Sequence, residues 1–150
     1  MPGRIAGLAR RSRSRGTIEV IERATITLEG GIAGDFRGGR KGKPHRRQVT
    51  LMARADWTQA TAELGLDLDW SVRRANVLVE GMTLPRQAGV HLRIDSALLR
   101  VTCECDPCFR MDEIAPGLCA ALTPDWRGGV CTMVIEGGSI AVGDEIGIEA

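Results

Sequence analysis

Apolar and polar residues alternate in short runs along most of the chain. Residues 4–8 and 17–28 are rich in β-branched side chains and partly alternating, which predicts strands. Residues 48–52, Gln-Val-Thr-Leu-Met, read as a buried strand, and residues 77–79 as another, apolar one. Further strands are predicted over 91–94, 97–105, 130–135 and 140–148, with Gly, Pro or Asp-Ser turns between them. Only two stretches read as helix. One runs over 53–64, with Ala55, Trp57, Ala60, Ala62 and Leu64 as inward positions and Gly65 as its stop. The other is a short helix over 116–122, started by Pro116. Many short strands and two helical pieces predict a mainly β fold with short helices, closed as a barrel. No repeat or linker divides it, so residues 1–150 are read as one domain.

A chain of 150 residues can bury a core without staples. No apolar run approaches the roughly 18–20 residues that a membrane-spanning helix needs. The start lacks the apolar centre of a secretory leader, and the Arg/Ser stretch 10–15 is only faintly like a transit peptide. With five cysteines, an odd number, a reducing cytoplasmic setting is expected.

The net charge of +1 conceals an asymmetry: residues 1–54 hold 13 Lys/Arg against 4 Asp/Glu, and residues 55–150 hold 7 against 15. Two solvated faces would explain this, and so would an anion site built by the basic half. Nucleic acid fits less well, because with no Tyr and two Phe the chain lacks stacking platforms. The glycine-rich basic segment 36–47 reads as a mobile loop, or as one that wraps an anionic group.

Three cysteines, Cys103, Cys105 and Cys108, fall within six positions. Period-two alternation puts Leu99, Val101, Cys103 and Cys105 on one face of a strand. Asp106-Pro107 ends the pairing, which leaves Cys108 on a turn where a thiolate can meet a ligand. Cys105-Asp-Pro-Cys108 has dithiol redox spacing. It lacks the βαβ setting of that motif, and Glu104, Asp106 and Asp112 disfavour a thiolate. A zinc site would need a second ligand pair, whereas Cys119 and Cys131 stand alone and, with Cys103, read as small buried hydrophobes. Polar clusters at other strand mouths, Arg73-Arg-Ala-Asn76 and Arg127-Gly-Gly129, accompany Cys108 and Arg110. Asp35 reads equally as a turn closer and as a ligand.

Taken together, Gly31-Ile-Ala-Gly-Asp35, Arg47-Gln-Val-Thr-Leu51, Arg74-Ala-Asn-Val-Leu-Val-Glu-Gly81, Asp106-Pro-Cys108, Pro116-Gly-Leu118, Trp126-Arg-Gly-Gly129 and Gly138-Ser-Ile-Ala-Val-Gly-Asp144 resemble the MOSC domain in its short, stand-alone bacterial form. This family is named after the C-terminal domain of molybdenum cofactor sulfurase, and the resemblance runs over about residues 18–148. It implies a β-barrel that binds the molybdenum cofactor, or handles its sulfur, through an essential cysteine. Cys108 matches that cysteine, as catalytic residue and molybdenum ligand. Arg74 and Asn76 match a polar pair that contacts the cofactor, Arg46 and Arg47 match by position at its phosphate, and Arg127 and Gly128, in a further matching block, are expected to bind the cofactor as well.

The implied partners are the anionic molybdopterin, a small-molecule substrate or sulfur donor, and a redox partner protein, with neither membrane nor nucleic acid. No pyridoxal phosphate site is expected, since the only lysines, Lys41 and Lys43, lie in the basic segment. No counterpart of the N-terminal extension of the reductase members is expected. The leading expectation is a molybdenum-cofactor protein that reduces N-hydroxylated compounds. The alternative is a non-redox carrier that holds sulfur as a persulfide on Cys108. A soft thiolate suits a thiophilic metal, and arginines suit a phosphate.

Overall fold

The structure, a computed structural model, describes residues 2–149. The strands are β1 (Gly3–Arg10), β2 (Glu19–Ile21), β3 (Arg23–Thr27), β4 (Gly31–Ile32), β5 (Val49–Ala53), β6 (Val77–Glu80), β7 (His91–Ile94), β8 (Ala97–Glu104), β9 (Val130–Glu136), β10 (Gly138–Ala141) and β11 (Glu145–Glu149). The helices are α1 (Phe36–Gly39), α2 (Arg54–Glu63), α3 (Arg110–Ile114) and α4 (Leu118–Leu122).

Seven strands in the order β11-β7-β8-β9-β5-β6-β1 form a barrel, which β1 closes on β11 through Gly3↔Ile146 and Arg4↔Glu145. β2 extends the sheet from β1, while β10, β3 and β4 make a separate three-stranded sheet. Every pairing within the barrel is antiparallel except β5–β6, and α2 lies in the connection between those two strands. No helix among the described residues is long and apolar enough to cross a membrane.

β5 and most of β6 are buried on both faces. Val49, Leu51 and Ala53 of β5, with Val77 and Val79 of β6, face the barrel core, whereas Met52 and Leu78 face a second core under the helices. There they meet Trp57, Leu118 and Leu122. The α2 expectation needs correction. Its buried residues are Trp57, Ala60 and Thr61, with Leu64 half-buried just beyond, whereas Ala55 and Ala62 are exposed. At about 100° per residue, Ala55 and Ala62 fall on the far side from Trp57 and Leu64. Pro116 precedes α4, whose first helical residue is Leu118. α3 was not expected at all.

The face assigned to the cysteines also changes. The β8–β9 register shifts between Val101↔Thr132 and Cys103↔Cys131, so Thr102 is an extra residue on β8. An insertion of one residue reverses the side-chain alternation beyond it. Leu99 and Val101 remain in the core, while Cys103 turns to the opposite face together with its partner Cys131, which alternates with the core residue Val130. Cys103 is therefore half-buried and not the core residue that was expected.

Gly129 fixes where β8 ends. Its carbonyl accepts from the Cys105 N–H (2.9 Å), and its φ is +98°. A Cβ there would be driven into the Leu51 carbonyl oxygen. Gly129→Ala combines this collision with a strained φ, so it is expected to cost about 3 kcal/mol or more. For a chain of this size that lowers Tm by roughly 6–12 °C. Thermal unfolding measures the change, and an unchanged Tm would refute the close packing of β5 on this turn.

Candidate functional site

Seven arginines surround a cleft of about 460 Å³: Arg11, Arg37, Arg40, Arg47, Arg73, Arg74 and Arg110. Among the described residues, Asp106 is the single carboxylate on its wall. Cys105 also lines the cleft and is 4% exposed, whereas Cys108 stands exposed at its edge.

Local structure explains how such distant residues converge. Asp35 caps α1 by accepting from the Gly38 N–H (3.0 Å) and accepts from the Arg11 N–H (3.1 Å) with its other oxygen. The chain leaving β1 is thereby tied to the start of α1, which brings Arg11 beside Arg37. His45 bonds to the Gly38 carbonyl (3.0 Å) and accepts from the Arg47 N–H (3.2 Å). The basic segment is thus folded back on itself rather than forming an open loop, and it leads Arg47 into the site.

Arg73 ends the 3-10 turn Trp70–Arg73, and Arg74 follows in the left-handed region (φ 70°). That kink allows two adjacent arginines to line one cleft. Arg73 Nη2 donates to the carbonyls of Cys105 (3.1 Å) and Gly128 (2.9 Å), and to Cys105 Sγ (3.4 Å). Two guanidinium nitrogens, Arg11 Nη1 and Arg73 Nε, are buried without a partner. Buried cationic donors left unpaired are costly, and an anion in the cleft would relieve that cost.

Burial pushes the Arg11 and Arg37 guanidiniums down from their usual range, helped at Arg11 by Arg74 and at Arg37 by Arg47. At Cys105 the balance is reversed. A hydrogen bond from the Cys131 thiol lowers its pKa against the opposing effect of burial, and Arg73, Arg47 and Arg37 add to the lowering. The Cys131 thiol is correspondingly pushed up by that same bond and by burial. The expectation that acidic neighbours would disfavour a thiolate fails at Cys105, where the Cys131 thiol acts first and Arg73, Arg47 and Arg37 add to it.

Of the residues singled out in the sequence, Cys108, Arg47 and Arg74 share the cleft wall. Arg46 is exposed and lies outside it, and its carbonyl accepts from Thr102 Oγ1. The Asn76 side chain ties the barrel together: Oδ1 accepts from the Thr50 N–H (3.0 Å), and Nδ2 donates to the Ala9 carbonyl (3.1 Å). Arg127 pairs with Glu63 of α2 (3.0 Å) and donates to the Ala121 carbonyl (2.9 Å). Gly128 packs against the Cys105 carbonyl and Pro107, where it backs the cleft. Arg11, Arg37, Arg40, Arg73 and Cys105 were not singled out as site residues. The basic runs that hold Arg11, Arg37 and Arg40 were visible, but their convergence through Asp35 is a long-range contact without a local signal, and so is the meeting of Arg73 with Cys105.

The MOSC domain family model matches residues 33–147. The chain belongs to the MOSC domain family. Among solved structures, the YuaD protein of Bacillus subtilis superposes with a TM-score of 0.79 at 21% identity, over 97% of this chain and 94% of that one. YiiM from Geobacillus stearothermophilus gives 0.74 at 14% identity, over 99% of this chain and 76% of that one. YiiM from Escherichia coli gives 0.72 at 14% identity, over 100% and 70%. At these identities the likeness establishes a shared fold. No curated protein sequence matches the chain. Arg11 lies before the matched region, so the arginine cleft of this MOSC domain is completed by the residue that follows β1, outside that region.

Proposed function

We propose that this MOSC domain binds the molybdenum cofactor in the arginine cleft, with Cys108 as the metal's protein ligand, and reduces N-hydroxylated compounds there. The observation that carries this reading is an exposed cysteine beside seven arginines and a single carboxylate. The residues present suit the group. Its phosphate is matched by Arg37, Arg40 and Arg47 from one stretch and by Arg11, Arg73 and Arg74 from two others. The orphaned Arg11 Nη1 and Arg73 Nε supply donors that await an acceptor. Among the described residues no cluster of three or more His, Cys, Asp or Glu side chains is disposed to hold a metal ion, so the bound group must bring most of the metal's donors. When bound, that group supplies the redox-active centre; the chain grips the anion, holds the group's pose and presents one soft thiolate.

Protein made in a host that synthesises the cofactor should carry molybdenum and pterin in equal amounts, measured by plasma mass spectrometry and by pterin fluorescence. Neither being present would overturn the reading, and sulfane sulfur on a metal-free Cys108 would favour the carrier function instead. Arg47→Gln is expected to reduce pterin retention about tenfold, as for loss of one charge-assisted hydrogen bond. Retention by the wild type should itself weaken with salt. Arg46→Gln, outside the cleft, should leave retention unchanged. Equal effects of the two substitutions would remove Arg47 from the site.

A further inference from the structure

Cys105 and Cys131 take no part in the cofactor reading, yet they are the buried nucleophiles nearest to the arginines. The Thr102 bulge turns this part of β8 away from the barrel core. Cys103 then lies opposite Cys131, and the Cys105 N–H bonds to the Gly129 carbonyl, so Cys105 sits diagonally across from Cys131. Cys131 thus shares its face with Cys103 and Cys105, near enough to Cys105 for each thiol to shift the titration of the other. Arg73 Nη2 reaches Cys105 Sγ at 3.4 Å and is held there by two carbonyls. The Arg47 guanidinium lies close enough to Cys131 and Cys105 to be held above its usual range by them, against the opposing effect of burial. Cys105 opens onto the cleft, through which a small reagent reaches it.

We propose that Cys105 and Cys131 form a peroxide-reactive dithiol, in which a hydroperoxide oxidises Cys105 and Cys131 then closes a disulfide onto it. The Cys105 thiolate attacks the peroxide, an S–O bond forms and the O–O bond breaks. The departing oxygen leaves with the electron pair beside Arg73 and takes a proton from water. Cys131 sulfur next attacks Cys105 sulfur; the S–S bond forms, the S–O bond breaks, and the leaving hydroxide takes the Cys131 proton to become water. In sum, two thiols and one hydroperoxide give a disulfide, an alcohol or water, and a further water, with two electrons passing from sulfur to peroxide. Arg73 is a positioning residue for the thiolate. The lowered pKa of Cys105 and the raised pKa of Cys131 match the roles of attacking and resolving sulfur.

The test uses full-length reduced protein and one equivalent of hydrogen peroxide, followed by alkylation in denaturant and peptide mapping. Cys105 and Cys131 thiols should disappear together, about tenfold faster than that of Cys119, and yield a Cys105–Cys131 cross-linked peptide that dithiothreitol reverses. The cross-link should persist in Cys108→Ser. In Cys131→Ala, dimedone should trap a sulfenic acid on Cys105. A Cys105–Cys108 or Cys103–Cys131 bond as main product overturns the proposal, and so does oxidation confined to Cys108. The wild-type mapping decides this even if the Cys131 variant does not fold, and it reads independently of cofactor content.

Discussion

Serine at position 108 is expected to leave a folded barrel that no longer carries molybdenum. Cys108 is exposed, and its carbonyl accepts from the Met111 N–H (2.9 Å) at the entry to α3. Serine keeps that backbone bond, so stability should stay within about 0.5 kcal/mol of wild type. What changes is the donor atom. A thiolate is soft and is deprotonated on binding a metal, whereas a hydroxyl is a hard, weakly acidic donor. The metal-to-protein ratio should therefore fall at least about tenfold while Tm is preserved. The seven arginines are untouched, so the thermal shift that phosphate induces should match that of the wild type. Full molybdenum in Cys108→Ser would show that this sulfur is not the ligand. Cys105, in the same cleft, would then be the next thiol to replace.

The strands were legible in the sequence because burial imposes a local pattern. Residues 48–52 read as a buried strand, and the structure covers that strand with the barrel core on one side and Trp57, Leu118 and Leu122 on the other. Thr102 was not legible. A one-residue bulge is decided by pairing with a strand about 30 positions away, yet it reverses the side on which two cysteines lie. α3 was missed for a related reason, since five residues are too few to show helical periodicity.

At the site, the local signals found Cys108 and Arg74, because a proline after a strand and polar residues before one are visible in one dimension. Arg11 and Arg37 were visible only as members of basic runs. What brings them together is Asp35, whose two oxygens bind backbone on both sides of the gap. The same geometry explains why the charge asymmetry of the chain is more than a pair of solvated faces. Its basic half supplies Arg11, Arg37, Arg40 and Arg47, and the second half closes the cleft with Arg73, Arg74 and Arg110.

Methionine at position 11 is expected to stabilise the anion-free protein and to weaken its response to anions. Arg11 is 8% exposed, and its Nη1 has no partner. Asp35 is close enough to offset part of the cost, but both its oxygens are engaged by backbone N–H groups. Burial, together with Arg74, Arg37 and Arg110, acts against the charge. An unbranched apolar side chain of similar length removes that penalty and keeps the packing, which should gain about 1–2 kcal/mol, or roughly 2–8 °C in Tm. Phosphate or pyrophosphate should reverse the order. A ligand at a hundred times its Kd stabilises the native state by about 2.7 kcal/mol, and a tenfold loss of affinity halves that gain. The Tm curves of wild type and Arg11→Met, followed as pyrophosphate is titrated, should therefore converge or cross. Parallel curves would take Arg11 out of the anion site. A variant less stable at every concentration would mean that the guanidinium is held by the protein itself and that the cleft is no anion trap.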